Sequence, residues 1–281
     1  MSEATAEGPS LQQLLDAAEL KYDLQLDADG SAFAVFRHEV VGHGMVDVTA
    51  WLKGRQLRFV AAHVMQWDHS HEHLEWCFFV NMEWAYGDLH LDASGKWLDA
   101  AVSMYLGSGL PGRNHVRYVV THLAESVRRL RDGELPCYAP QQGRRSTLDE
   151  VKQALVRCGL EPSTSPDGNT LGQKLNRGDV SVIVACYLFD EGTLLNVLCR
   201  FEPSWRVSDP AHVVPLLHSI NRHLDYGTVN LDPDTQTIQY HLGIPVAWSM
   251  VDESLMKWAV STALSTMIDR VLPGVPSFVR S

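Results

Sequence analysis

The chain has 281 residues, and 23 Lys and Arg against 34 Asp and Glu give it a formal net charge of −11. Hydrophobic residues make up 45% and charged residues 20%, which is typical of a folded globular chain and excludes extensive disorder. The acidic balance, with no basic run longer than Arg144-Arg145, argues against direct nucleic-acid binding, because such surfaces need clustered basic charge. The length allows about two ordinary domains.

The sequence carries no visible targeting signal or membrane span. Its longest apolar stretch, residues 180–189, is about half the length of a membrane-spanning helix, which needs about 20 residues. The acidic N-terminal residues lack the basic and apolar regions of a signal peptide. We therefore expect a cytoplasmic protein with no membrane partner. The five cysteines contain no CxxC pair and are predicted to be reduced and structural.

The first half of the chain predicts a helix, a strand meander, a second helix, a hairpin and a third helix. Ser10-Leu-Gln-Gln13 is a capping box, in which two side chains satisfy each other's backbone amides, and it begins the first helix. The other elements follow from helical spacing, strand alternation and Asp-Gly turns. In chain order they are helix 11–20, strands 22–26, 32–36, 45–51 and 56–64, helix 70–85, strands 88–91 and 96–105, and helix 114–131.

The second half predicts the same order of elements. Thr147-Leu-Asp-Glu150 is another capping box, and Asp209-Pro210 is typical of a helix start. The predicted elements are helix 148–158, strands 170–175, 180–189 and 193–201, helix 209–225, strands 228–231 and 237–242, and helix 252–272. Between the halves, residues 135–146 contain two prolines and a glycine and are predicted to be a linker.

Identical residues recur at a nearly constant offset between the halves. Five of them recur 140 residues later, with Asn81, Tyr86, Gly87, Leu91 and Asp92 matching Asn221, Tyr226, Gly227, Leu231 and Asp232. The sequence therefore predicts one α+β domain type used twice, over residues 1–140 and 146–281, with helices packed on an antiparallel sheet. The alternative is a single domain with accidental internal similarity.

The motif Asn-x4-Tyr-Gly-x3-Leu-Asp, followed by a hairpin and a long helix, resembles the YbjN family, a bacterial sensory-transduction-regulator domain. The similarity is clearest over residues 219–272 and is co-linear but weaker over residues 80–130. That family resembles the type III secretion chaperones in fold, a twisted antiparallel sheet flanked by three helices. The resemblance implies a non-catalytic protein-binding module, chaperone-like or regulatory, with no cofactor. Two copies in one chain imply a covalent pseudo-dimer, present as a monomer or as a dimer of it.

The second helix of the first copy is apolar on more than one face. Trp76, Cys77, Val80 and Trp84 have apolar counterparts in the second copy and are predicted to pack on the sheet. Four other apolar residues lie off this stripe and are predicted to contact either the sister copy or a partner protein: Leu74, Phe78, Phe79 and Met82.

Negative charge is unevenly distributed between the two predicted copies. Residues 1–140 carry 11 Lys and Arg against 19 Asp and Glu, so most of the negative charge belongs to them. An acidic face would attract a basic partner.

Trp51 and Trp67 flank the third and fourth strands. They are predicted to pack at the core or its rim, and anchoring of a bound peptide is the alternative.

The segment His69-Ser-His71-Glu-His73 is a candidate metal site, because clustered histidines and carboxylates suit zinc or nickel. The segment is predicted to be helical, with His69 at the N-cap, so that only His69 and His73 would share a face. We expect a solvated helix start, and the alternative is a metal-dependent enzyme or metal-binding protein centred on His69, His71 and His73. For the function of the whole chain, a further alternative to a protein-binding module is a purely structural tandem domain in a larger assembly.

The stretch Gly107-Ser-Gly109-Leu-Pro-Gly112 matches the GxGxxG pattern of dinucleotide-binding folds. The preceding strand belongs to a hairpin rather than to a parallel βαβ unit, and a proline occupies the turn. We therefore expect a flexible turn between a strand and a helix. The sequence also contains no GxSxG, HExxH or P-loop motif, and no catalytic residues are assigned.

Overall fold

The structure, a computed structural model, describes residues 9–68, 70–84, 87–106, 113–136, 143–202, 206–208, 210–221, 223–232, 234–247, 250–274 and 279–280. These residues form two six-stranded antiparallel sheets and six α-helices, so the predicted α+β class is confirmed. None of the described helices combines the length and the apolar composition needed to cross a bilayer.

The first half of the chain contributes three helices and six strands. In chain order they are α1 Leu11–Ala17, β1 Asp23–Leu26, β2 Ala32–Val40, β3 Gly44–Lys53, β4 Gln56–Gln66, α2 His71–Glu83, β5 Gly87–Leu91, β6 Trp97–Tyr105 and α3 Arg113–Arg131. All six strands lie in one sheet, which we call the first sheet, with the order β1-β2-β3-β4-β6-β5. Every neighbouring pair is antiparallel.

The second half contributes three helices and eight strands. They are α4 Leu148–Arg157, β7 Ser163–Thr164, β8 Thr170–Arg177, β9 Val180–Phe189, β10 Leu194–Glu202, β11 Arg206–Val207, α5 Pro210–Asn221, β12 Thr228–Leu231, β13 Ile238–Pro245, α6 Glu253–Ser265 and β14 Val279–Arg280. Six of these strands form the second sheet, ordered β7-β8-β9-β10-β13-β12, and β11 pairs with β14. Read along the chain, the two six-stranded sheets have the same strand order.

Both predicted capping boxes are confirmed. Ser10 Oγ accepts from the Gln13 amide at 3.2 Å, and Gln13 Oε1 accepts from the Ser10 amide at 2.9 Å. Thr147 and Glu150 make the same reciprocal pair at 3.3 and 2.9 Å. These contacts satisfy amides that a helix start leaves without partners, which is why α1 and α4 begin where the sequence indicates.

Several predicted boundaries are wrong. The last helix stays α-helical only to Ser265 and then becomes a π-helix, Thr266–Val271. The N-cap of α2 is Ser70 rather than His69, because Ser70 Oγ accepts from the His73 amide at 3.0 Å. Strand β4 continues past the predicted end through a bulge. The two-residue strands β7, β11 and β14 were not predicted, because they are too short to show an alternating pattern.

Each half has its own hydrophobic core. One cluster joins α1, α3 and the inner face of the first sheet, and another joins α4, α6 and the second sheet. Leu135 packs on the first cluster, whereas the amides of Arg144 and Ser146 bond to carbonyls of the second half. Leu135 therefore belongs to the first half and Arg144 to the second, and both residues lie in the predicted linker. The predicted division at 140 and 146 stays a prediction.

The recurrent asparagines of the sequence motif hold an edge strand in each half. Asn81 Nδ2 donates to the Leu89 carbonyl at 3.0 Å, and Asn81 Oδ1 accepts from the Leu89 amide at 2.7 Å. Asn221 makes the same two bonds with Val229, at 3.0 and 2.7 Å. Both asparagines are buried. Each one satisfies the backbone amide and carbonyl of one edge-strand residue, at the side where the strand has no neighbour in the sheet.

The recurrent glycines stand where the chain has no room for a side chain. A Cβ at Gly87 would overlap the ring of Trp84, and one at Gly227 would overlap the His241 carbonyl oxygen. Gly227 also has a φ of +59°, a conformation that disfavours other residues. The Asn and Gly positions of the motif therefore hold the hairpin against the second helix in both halves.

We predict that Asn81→Ala and Asn221→Ala each lower the free energy of unfolding by about 2–4 kcal/mol, because each leaves a buried amide and carbonyl without partners. Urea denaturation measures this loss, and Asn176→Ala, at an exposed position, is the control. Similar stability of both buried variants and the control would contradict this role.

Candidate protein-binding site

The two halves meet through their second helices and their hairpins. Helix α2 lies against β5 and also against β12 of the other sheet, and α5 lies against β12 and β5. Strands β6 and β13 also contact each other. We call this region the junction.

A buried arginine crosses the junction. Arg58 Nη1, on β4, donates to the carbonyl oxygens of Leu224 and Asp225 at 2.9 and 2.8 Å, just beyond the end of α5. Its Nη2 lies 3.3 Å from Asp88 Oδ2, on β5. One guanidinium therefore binds two carbonyls of the second half and a carboxylate of the first.

The carboxylate of Asp88 is held in its charged form. Burial alone would raise the pKa of Asp88, but Arg58 and a hydrogen bond from His90 hold that pKa below its ordinary value. His90 Nδ1 lies 2.8 Å from Asp88 Oδ2. All three side chains are buried, so the cluster depends on its internal partners rather than on water.

The second sheet carries uncharged residues at the corresponding positions. By strand order and register, Arg58 corresponds to Asn196, Asp88 to Thr228 and His90 to Asn230. The Oδ1 atoms of Asn196 and Asn230 are buried without a hydrogen-bond partner among the described residues. The junction is therefore asymmetric, with its buried ion pair on one side only.

A small cavity lies at the junction, with a volume of about 20 Å³. Asp88 and Ser103 line it from the first half, and Thr228 and His241 line it from the second. Burial lowers the pKa of His241 to about 4, so its ring is neutral near pH 7. A cavity of this size holds about one water molecule, and its polar lining suits one.

His218 of α5 also lies at the junction, at the position that corresponds to Phe78 of α2. It is buried, with its ring centroid 6.0 Å from that of Trp67. Burial, assisted by the nearby His90, lowers the pKa of His218 to about 4. A neutral imidazole thus occupies a place where the first half has a phenylalanine.

Aromatic packing supports the junction at its rim. The rings of Tyr105 and Trp258 stack with centroids 4.5 Å apart, and Tyr226 meets Trp258 edge-on at 4.9 Å. Ser103 Oγ donates to the Asp225 carbonyl at 3.1 Å, and Lys53 Nζ lies 3.3 Å from Asp225 Oδ2. Residues of both halves therefore share one packed interface.

The predicted apolar patch on α2 is described only in part. Phe79 is 44% exposed, whereas the side chains of Leu74, Phe78 and Met82 lie outside the described residues. The predicted core residues Cys77, Val80 and Trp84 are buried. Since α2 runs beside β12, the patch belongs to a helix at the junction. Its role in contacting the sister copy or a partner stays a prediction.

The two candidate tryptophan anchors differ in their surroundings. Trp67 is buried beside Cys77 and Leu98, and its ring stacks on His73 with centroids 4.7 Å apart. Trp51 is half-buried on the outer face of β3, where it is paired across the strands with Phe33. Trp67 is therefore a packing residue, and Trp51 remains in a position to contact a partner.

An open pocket of about 510 Å³ lies around Trp51. Phe33 and Trp51 form its apolar wall, and three carboxylates stand at its rim: Asp27, Asp29 and Asp225. The volume is within the range of about 300–1,000 Å³ usual for binding clefts. We call this feature the outer-face pocket. Asp225 comes from the second half, so the junction completes the pocket.

The histidine segment shows no metal centre in the part that is described. His73 Nδ1 lies 3.1 Å from Asp68 Oδ1, and its ring stacks on Trp67. Among the described side chains, no group of three or more His, Cys, Asp or Glu is arranged to hold a metal ion. His69 and the side chain of His71 lie outside the described residues, as does the GxGxxG stretch at residues 107–112.

Comparison with known proteins matched no protein-family model and no curated protein.

Sequence reasoning missed the Arg58 cluster and the Phe33–Trp51 wall. One signal was available, since Arg58 is a lone charge within the apolar run Leu57-Arg-Phe-Val60 of a central strand. A charge there indicates a partner on the outer face of the sheet. The identity of that partner, a pair of carbonyls 166 and 167 residues away, leaves no trace in the local pattern.

We predict that Arg58→Met lowers the free energy of unfolding by about 3–5 kcal/mol, because Asp88 loses its charge partner in a buried site. Arg37→Met is the matched control, because the exposed Arg37–Asp47 pair contributes about 1 kcal/mol or less. Chemical denaturation of both variants provides the comparison.

The double variant Arg58→Asn/Asp88→Thr copies the second sheet and should be more stable than Arg58→Met. Equal losses for Arg58→Met and Arg37→Met would contradict the structural role of the buried pair.

Proposed function

We propose that this protein is a non-enzymatic protein-binding module, chaperone-like or a regulatory adaptor. In this proposal two domains of the YbjN type, with a fold like that of the type III secretion chaperones, form a covalent pseudo-dimer. The observation that carries the binding role is the uncovered apolar part of the outer face of the first sheet, around Phe33 and Trp51.

The pseudo-dimer is supported by three parallels between the halves. Their sheets share one strand order, both helices α1 and α4 start at capping boxes, and Asn81 and Asn221 make the same pair of bonds to an edge strand. A duplicated gene segment is the simplest origin of three such parallels. The helices that join the halves, α2 and α5, are also the equivalent ones.

The binding role is supported by the distribution of exposed apolar side chains. The second half covers the outer face of the first sheet at β4, β5 and β6, where Arg58 and Asp88 are buried. At β2 and β3 the same face is open, and Phe33, Val35 and Trp51 are half-buried neighbours on it. Partly exposed apolar side chains grouped in this way usually mark an interaction site.

A second exposed apolar group lies on the edge of the first sheet. Leu24 and Leu26 of β1 are 46% and 70% exposed, and β1 has an unpaired edge. An edge strand with leucine side chains is a site at which an extended segment of another chain can pair.

A reducing compartment suits the cysteines. Cys77, Cys186 and Cys199 are buried and free, and Cys158 is also free. Burial raises the pKa of Cys186 and Cys199 to about 12, so these thiols are unreactive packing groups. The proposal therefore places the protein in the cytoplasm.

Site-specific photo-crosslinking in the native host tests the binding role. A photoreactive phenylalanine analogue replaces Thr49, which lines the outer-face pocket, or Phe79 on α2, and Val156 on α4, an exposed apolar residue of the second half, is the control. We expect a discrete protein adduct from Thr49, absent from Val156 and lost when Trp51 is also replaced by Ala. Identical adduct patterns from Thr49 and Val156 would refute a binding role for this face.

A further inference from the structure

The outer-face pocket combines an apolar wall with an acidic rim, and this combination selects a class of partner. Phe33 and Trp51 are directly paired across β2 and β3, so their side chains lie side by side on the same face. Their row continues to Arg58 and Ser103, which the second half covers. The aromatic pair is therefore the last uncovered part of that row before the junction.

The rim of the pocket is negatively charged. Asp27 and Asp29 come from the turn between β1 and β2, and Asp225 comes from the turn after α5. One cation, Lys53, lines the pocket, and it is paired with Asp225 at 3.3 Å. Lys53 also acts electrostatically on Asp29, so one cationic side chain faces three carboxylates and the pocket lining keeps a net negative charge.

The turn that carries these carboxylates is internally ordered. The Asp27 amide donates to the Ser31 carbonyl at 2.8 Å, and Asp29 Oδ1 accepts from the Ser31 amide at 2.8 Å. The bond to the Ser31 amide lowers the pKa of Asp29 and keeps its carboxylate charged. The charge is therefore preorganised at the mouth of the pocket, so binding a cation there requires little rearrangement.

We propose that the outer-face pocket binds an arginine-bearing extended segment of a partner protein. In this arrangement an apolar residue of the segment packs on Phe33 and Trp51, and a neighbouring guanidinium lies between the Trp51 ring and the carboxylates of Asp27 and Asp29. A guanidinium suits this position, because it stacks on aromatic rings and pairs with carboxylates at the same time. This inference rests on the proposed function.

A second copy of this chain does not fit as the occupant. The chain has a net charge of −11, and Arg144-Arg145, one of its two pairs of adjacent basic residues, is already paired with Glu150 and Glu191. The basic side chains at the end of α3 are paired as well, with Arg128 and Arg129 bonded to neighbouring carboxylates. Charge complementarity therefore favours a different, basic partner.

The second sheet provides an internal comparison. Its corresponding cross-strand pair is Thr170 and Tyr187, so the paired aromatic wall is absent there. Its Asp167-Gly168 turn matches Asp29-Gly30 in sequence, and the Asp167 carboxylate accepts from Ser165 Oγ and from the Asn169 amide. A charge change in this turn is a matched control for a charge change at the pocket.

Fluorescence anisotropy with the full chain tests the inference. The probe is a fluorescein-labelled peptide of about ten alternating Leu and Arg residues, long enough to run along a strand of the sheet. A matched peptide of alternating Leu and Glu is the control probe. We expect the Leu/Arg peptide to bind, more weakly at high salt because the carboxylates are exposed.

Two double variants separate the pocket from the overall charge. Asp27→Asn/Asp29→Asn should weaken binding of the Leu/Arg peptide about five- to tenfold. Asp167→Asn/Asp179→Asn removes the same number of charges from exposed turns of the second half and should change binding by less than about twofold. Trp51→Ala should weaken binding at least about tenfold, with thermal melting used to confirm that it is folded.

The inference is overturned if both charge variants weaken binding equally, because the peptide would then respond only to net charge. It is also overturned if the Leu/Glu peptide binds as tightly as the Leu/Arg peptide, or if neither peptide binds. In each of these cases a Trp51-dependent crosslink from Thr49 would still support the proposed function. Loss of that crosslink as well would remove both.

Discussion

The contact of Arg58 with the carbonyl oxygens of Leu224 and Asp225 determines how the two halves are arranged. A buried guanidinium needs several acceptors, and here the acceptors come from two parts of the chain that are far apart in sequence. Because these carbonyls follow α5, the contact positions that helix against the hairpin of the first sheet. It also decides which part of the outer sheet face is covered and which part is open.

The asymmetry of the junction has a physical consequence. A buried ion pair adds little to stability compared with apolar packing, but removing one member is costly, so such pairs favour one pairing over others. The first half supplies Arg58, Asp88 and His90, whereas the second supplies Asn196, Thr228 and Asn230. Two identical halves would duplicate the charged cluster on both sides of the junction. At these positions the first half is charged and the second is neutral, as the proposed pseudo-dimer of two specialised copies would require.

The same asymmetry extends to the outer surface. The first half holds most of the negative charge and also the aromatic pair Phe33 and Trp51, whereas the second half has Thr170 and Tyr187 in the corresponding places. Asp225 belongs to both the junction and the outer-face pocket, since its carbonyl accepts from Arg58 inside the junction and its side chain lines the pocket. The junction therefore contributes directly to the surface on which we propose that a partner binds.

Much of the fold was predictable because its determinants are local. The capping boxes of Ser10 and Thr147 fix two helix starts, and the alternation of apolar residues identifies the strands within a few positions. The recurrence of the Asn motif was visible in the sequence, whereas the role of Asn81 and Asn221 in holding an edge strand required the structure. The site was less accessible, because Phe33, Trp51 and Asp225 meet only through cross-strand register and the junction. These contacts depend on tertiary packing that no sequence period records.

Cleavage of the chain between the halves tests the central claim most directly. A protease site inserted after Pro140, before the residues that bond to the second half, allows the folded protein to be cut into two fragments. Because the junction buries an ion pair and aromatic packing, the fragments should co-elute in size-exclusion chromatography with light scattering, at the mass of the uncut protein. Separation of the two fragments into independent folded species would contradict a structural junction.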